Sequence, residues 1–203
     1  MRIDKNLNFV FPIESVGRGV VYVHSTPISR SVFEQFYDVL GKVFTKCFDG
    51  QDPKHIALTA PQLALPAIKA AAVSTGTWDG PNGVQRGLVN EIIRLSSVAS
   101  TGDLGWEMLP LDVAVRREIL DDENEAEILS NLIFFTSISK VAPRALAGTF
   151  LEMAGSLRDW RFTSLGCMEY VNSLPTSTEE PITTPIYSPV ISKTIWQRVD
   201  LQD

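Results

Sequence analysis

The chain is poor in the residues from which chemical sites are usually built. Among 203 residues there are two cysteines, Cys47 and Cys167, and two histidines, His24 and His55. No C-x-x-C, H-x-x-x-H or H-E-x-x-H spacing occurs, so a metal ion has no local ligand pair on which to assemble. No cofactor is expected. Positive charge is also scarce: 18 Lys and Arg against 24 Asp and Glu leave a net charge of -6. Arg2, Lys5, Arg18, Arg30, Lys42, Lys54 and Lys69 are scattered along the chain. They form no patch able to displace counterions from phosphates, which argues against nucleic acid as a partner. Long apolar runs are missing too. The longest candidate, Ile56 to Val73, is interrupted by Pro61, Gln62, Pro66 and Lys69. A membrane span would need about 18 apolar residues in succession, so no membrane partner is expected. The opening Met1-Arg2-Ile3-Asp4-Lys5-Asn6 has no apolar segment of the secretory kind. The expectation is a reducing cytoplasm in which both thiols stay free and buried.

What the chain does contain is enough apolar surface for a core. Hydrophobic residues make up 44% and charged residues 21%, the balance of a globule rather than of a disordered chain. The character changes abruptly near Ser173. Before it, residues 1–172 read as a helical body. After it, Ser173-Leu174-Pro175-Thr176-Ser177-Thr178-Glu179-Glu180-Pro181 opens an arm, 173–203, too rich in Pro, Ser and Thr to fold on itself. Apolar residues return at the far end of the arm as Ile186, Tyr187, Val190, Ile191, Ile195 and Trp196. A compact body with a solvated arm and an apolar tip suits gripping another chain. Tyr187, Ile191 and Trp196 are therefore the first partner-binding candidates.

Residues 7–28 read as a β-hairpin, with Asn8 to Ile13 and Gly19 to His24 joined by a turn containing Gly17. Pro12 cannot donate to a ladder, so its strand should lie at an edge or end there. A lone hairpin is barely stable in water. It must lie against the helices or add to another subunit, which makes Val21 and Val23 further partner-binding candidates. Val32, Phe33, Phe36, Val39, Leu40, Val43, Phe44, Cys47 and Phe48 recur at helical spacing after a cap at Ser29 or Ser31. Lys54 to Ser74 carries Pro61 and Pro66, each of which removes a backbone bond, and predicts a broken or kinked helix. Gly76 to Gly83 is a turn cluster and Val84 to Leu95 a helix. Ser97–Ser100 and Trp106–Leu109 are ambiguous, with a second small hairpin as one reading. Helices are expected from Pro110 to Leu120, from the acidic run Asp121–Glu125 to Lys140, and from Arg144 to Leu157, with a turn or two more between Phe162 and Val171. The fold class this gives is mainly α (α+β): an amphipathic helix bundle with a small N-terminal β-hairpin and an extended C-terminal arm.

Three constellations invite a chemical reading, and each has a plainer one. Cys47 could pair with His24 or His55, but it lies on the apolar stripe of its helix, where a structural thiol is favoured. The glycines from Gly76 to Gly87 lack the Gly-Lys-Ser/Thr ending of a phosphate loop, so a structural turn is favoured. Asp121-Asp122-Glu123-Asn124-Glu125 lacks the spaced acids and central glycine of a calcium loop and suits a helix start. Of the four tryptophans, Trp78, Trp106 and Trp160 fit core packing, whereas Trp196 sits in the arm.

Several stretches resemble the tail assembly chaperones of long-tailed bacteriophages. They are Met1-Arg2-Ile3-Asp4-Lys5-Asn6-Leu7-Asn8, Tyr22-Val23-His24-Ser25-Thr26-Pro27-Ile28-Ser29-Arg30, Trp78-Asp79-Gly80, Gly87-Leu88-Val89-Asn90-Glu91-Ile92, Phe134-Phe135-Thr136, Thr163-Ser164-Leu165 and Ser173-Leu174-Pro175-Thr176-Ser177-Thr178. The resemblance implies a non-enzymatic protein of the host cytoplasm. It would act in several copies, a homo-oligomer, keeping the tape measure protein soluble while tail tube protein polymerises around it. The alternatives are a structural virion protein, such as a minor tail or neck component held by exchange of hairpin and arm, and an enzyme built on Cys47.

Overall fold

The computed structural model describes residues 7–48, 52–102, 105–142 and 144–174. Two antiparallel hairpins supply most of a five-stranded sheet. The first joins β1 (Asn8–Ser15) to β2 (Gly19–Ser25), with Phe9 opposite Ser25 and Ser15 opposite Gly19. Its turn places Gly17 at φ +83°, a conformation that glycine adopts without strain. The second joins β3 (Ser96–Gly102) to β4 (Gly105–Pro110). β3 pairs with β2, and the short β5 (Arg161–Thr163) pairs with the first half of β1, giving the order β4-β3-β2-β1-β5.

This sheet overturns the expected mainly α bundle with a small hairpin. The fold is mixed α and β, 59% helical and 20% strand, and all sheet pairings are antiparallel. The sheet escaped a local reading because β3 carries Ser96, Ser97 and Ser100 where a strand usually shows β-branched or aromatic residues. Its pairings with β2 and β5 join segments some 70 and 150 residues apart in sequence, which no local pattern reveals.

Between β2 and β3 run α1 (Arg30–Gln35), α2 (Tyr37–Phe48), α3 (Pro53–Ser74), a π-helical turn (Gln85–Val89) and α4 (Asn90–Arg94). After β4 come α5 (Leu111–Arg116), α6 (Asp122–Val141), α7 (Arg144–Arg158), then β5 and α8 (Cys167–Asn172). Ser29, not Ser31, caps α1, accepting from the Val32 N–H at 3.3 Å. The expected single helix from there to Phe48 divides at Phe36. The Phe36 ring fits where a side chain on Gly87 would stand, since a Cβ there would lie 2.5 Å from its Cζ. The acidic run does start α6, with Asp121 accepting from the Asn124 N–H at 2.8 Å in a capping box.

α6 is the axis of the body. Every residue from Ile128 to Ile138 is buried. The helix therefore has no solvent face along that stretch, as expected of one enclosed on all sides. α3, α2, α7 and β1 all pack against it. Aromatic rings tie it to the sheet: Phe9 stacks on Phe135 at 4.5 Å and meets Trp160 edge-on at 4.9 Å. On the helical side Phe48 meets Phe150 edge-on at 4.5 Å.

The prolines of α3 do not break it. Pro66 has no N–H for the Gln62 carbonyl, and the ring crowds that carbonyl. Ser130 of α6 fills the gap, donating its hydroxyl to the Gln62 carbonyl at 3.3 Å and accepting from the Leu65 N–H at 3.1 Å. A neighbouring helix thus supplies what the sequence of α3 omits, and α3 runs through all 22 residues. Replacing Ser130 with Ala should strand both groups and lower stability by about 2 kcal/mol in urea denaturation. Ser139→Ala, whose hydroxyl serves only its own helix at Thr136, should cost less than about 0.5 kcal/mol. Equal losses in the two variants would refute the role given to Ser130.

Candidate functional site: the outer face of the long helix

α3 carries its apolar residues on both sides. Its inner side presents Ile56, Ala57, Ala60, Ala64, Ile68 and Ala72, each no more than 4% exposed. These recur every three or four residues, and the alanines let α2 and α6 approach closely. The outer side should then be polar. It carries Leu58, Leu63 and Val73, exposed by 46%, 47% and 56%, with Pro66 and Ala70 between them. Lys69 is the only charge from Leu58 to Ser74. The helix is roughly 33 Å long at 1.5 Å per residue, so this is a long face of low charge, with Gln62 and Lys69 exposed among its apolar residues.

Beside α3, α7 carries Leu157, which is 45% exposed and precedes the residue that ties the two helices together. Arg158 fixes this junction. Its guanidinium donates to the Leu58 carbonyl and lies 5.7 Å from the centre of the Trp160 ring. Burial holds its pKa below the ordinary arginine value, and Glu127 acts in the opposite direction. Ile56–Ser74 is also long and apolar enough to cross a membrane by length and composition, with 39% of the tested stretch buried inside the fold. The four interruptions that ended the apolar run in the sequence are thus too few to lower its average. An apolar helix of this length with one uncovered face can hold another apolar helix along its axis.

Of the partner-binding candidates, Val21 and Val23 are fully buried on the helix-facing side of β2. β2 is an interior strand, flanked by β1 and β3, so neither side chain is on a surface. Tyr187, Ile191 and Trp196 lie outside the described residues. Trp160 is in the core and Trp78 packs partly buried against it, whereas Trp106 sits on the opposite face of the sheet beside Tyr22. The residues missed were Leu58, Leu63 and Val73. The available signal was the composition of Lys54–Ser74, which is apolar all round instead of on one stripe.

The residues weighed for chemistry fall in separate places. Cys47 is buried in the core, its thiol donating to the Ala60 carbonyl at 3.7 Å. Burial pushes its pKa up to about 11, the reverse of an activated nucleophile. His24 is on the other face of the sheet, near Tyr170. Its Nε2 must carry the hydrogen, because the Leu165 carbonyl 3.1 Å away can only accept. Asn8 donates to the same carbonyl at 2.8 Å, and together they pin the loop between β5 and α8. The side chain of His55 lies outside the described residues. Among the described residues no group of three or more His, Cys, Asp or Glu is placed to hold a metal ion. Gly83 belongs to a tight turn, where a Cβ would come within 2.5 Å of the Asp79 carbonyl oxygen.

No protein-family model matches the sequence, and neither a curated protein nor a solved structure matches the chain. The surface itself therefore has to carry the functional argument.

The pinned loop has a pH signature. Burial lowers the pKa of His24 from 6.5, outweighing the opposing hydrogen bond to Leu165. The unfolded chain then takes up the proton first as pH falls. The stability His24 contributes is complete above about 6.5 and is lost as pH drops below it. His24→Gln keeps an N–H for Leu165 and cannot titrate. Between pH 7 and 5 the wild type should lose more stability than this variant in parallel urea titrations, and identical slopes would contradict the assignment.

Proposed function

We propose that the chain is a non-catalytic binding protein that shields apolar helical surface on a client polypeptide through the outer face of α3. The carrying observation is that Leu58, Leu63 and Val73 are spread exposed over the outer face of a helix whose other side is already sealed into the core. Such a row costs free energy when left in water, at roughly 25 cal/mol per Å² of apolar surface. A row this long and this free of charge recovers that cost when a second amphipathic helix covers it.

The particular role is that of a phage tail assembly chaperone, with the tape measure protein as client, tail tube protein as a further partner, and the host cytoplasm as the place of action. This rests on the resemblance of the stretches quoted above. The surface supports it because a long helical client needs a long helical receptor, and α3 spans the body. Several copies along one client would protect it stepwise. A net charge of -6 keeps each copy apart from its neighbours and soluble.

Co-expression with the tape measure protein tests this directly. The wild-type chain should hold the client in the soluble fraction. Leu63→Asp combined with Val73→Asp should reduce soluble client by about tenfold, equivalent to 1.4 kcal/mol or more of lost binding. Because both positions are half exposed, the variant should still fold, with a stability loss of no more than about 2 kcal/mol from helix propensity, the helix dipole and lost burial. Undiminished client in the soluble fraction would overturn the proposal.

A further inference from the structure

Five exposed residues of α3 stand one above another along its outer side. Leu58, Gln62, Pro66, Lys69 and Val73 follow at intervals of four, four, three and four residues. That spacing aligns side chains into a seam along one helix face. The seam reads the same in both directions: an apolar residue at each end, a polar residue four positions inside it, and Pro66 near the middle. No Asp or Glu occurs from Ile56 to Ser74. Lys69 therefore has no carboxylate to pair with along its own helix.

We propose that a second copy of this chain covers the seam, the two α3 helices packing antiparallel about a two-fold axis between Leu65 and Pro66. A two-fold contact is self-complementary, since each pairing made by one copy is repeated by the other. Here the axis sets Leu58 against Val73 of the partner subunit. It also sets the Gln62 side-chain carbonyl beside the ammonium of Lys69 of the partner subunit, an acceptor facing a donor. This polar pair fixes the register, because a slip of one turn presses the lysine onto an apolar residue. A parallel pair would instead bring the two Lys69 ammonium groups together and align the helix dipoles. The net charge of -6 opposes association in general, and a helix face with a lysine and no carboxylate is where that opposition is weakest. From Leu58 to Val73 the seam is a strip of about 23 Å by 10 Å, small beside the roughly 800 Å² per partner of a standard interface. The pair is therefore transient. Copies without a client keep α3 covered in this way, and a client displaces one copy by taking the same seam. The inference rests on α3 being a docking face, as proposed above, and on nothing about which client it takes.

Sedimentation velocity of the full-length chain, without client and at low salt, tests it. The wild type should pass from monomer to dimer within roughly 10 μM to 1 mM, the range of a transient contact. Gln62→Lys sets like charges together twice per dimer and should weaken pairing about tenfold. Adding Lys69→Glu restores opposite charges across the axis and should return pairing to within about threefold of wild type. Within one chain these two positions lie about 10 Å apart along the helix, so a contact between copies is what the rescue reports. Should Gln62→Lys fail to fold, Leu58→Lys with Val73→Glu as its rescue takes its place. A monomer throughout, or weakening that Lys69→Glu does not reverse, would overturn the proposal. Pairing indifferent to Gln62→Lys would overturn it too, in favour of a contact through another face. A monomeric chain that still keeps the client soluble would remove the self-pairing alone, whereas a dimer of this register in a chain that holds no client would remove only the client.

Discussion

An interior proline leaves a carbonyl one turn earlier without its N–H, and at Pro66 of α3 another element satisfies the groups around that break. Here that element is α6, through the Ser130 hydroxyl set between the Gln62 carbonyl and the Leu65 N–H. Much follows from this seam. It keeps α3 a single rod, and it locks the rod against a helix that water does not reach from Ile128 to Ile138. With one side held in this way, Ala57, Ala60, Ala64 and Ala72 face inward and Leu58, Leu63, Pro66 and Val73 are left facing out. The exposed stripe is thus a consequence of how the core is closed.

The sheet depends on the same axis. Phe9 lies between Phe135 of α6, Trp160 and Phe162 of β5, so one residue of β1 joins helix, loop and edge strand. Aromatic pairs of this kind add to burial through their edge and face electrostatics. They give the body a stiff centre, with its least covered surfaces at the two extremes: α3 on one side and the outer face of the sheet on the other.

Much of the helical part was legible in the sequence. The start of α6 was announced by Asp121 and the carboxylates after it, and the apolar spacing from Val39 to Cys47 gave α2. The hairpin of β1 and β2 showed in its β-branched and aromatic runs around Gly17. What was not legible came from distant partners. Pro61 and Pro66 signalled a broken helix, and the compensation at Pro66 comes from Ser130, 65 residues beyond Leu65 in sequence. Ser96 and Ser97 carry little strand preference and lie in a strand that pairs with β2 on one side and β4 on the other. Val21 and Val23 pointed to a partner only while the hairpin was taken to stand alone, and once β3 flanks β2 they are core residues. The stripe on α3 was hidden by the same error, since a helix thought to be broken presents no continuous face.

The central claim is that α3 receives another helix along its outer side. The most direct measurement is site-specific photo-crosslinking from a benzoylphenylalanine placed in turn at Leu63, at Val73 and, as a control, at Val16 on the hairpin tip, which is 86% exposed, in cells that also make the tape measure protein. The account expects adducts with that protein from both α3 positions and none from Val16. Adducts from Val16 alone, or none from either α3 position while client and chain still co-purify, would contradict it.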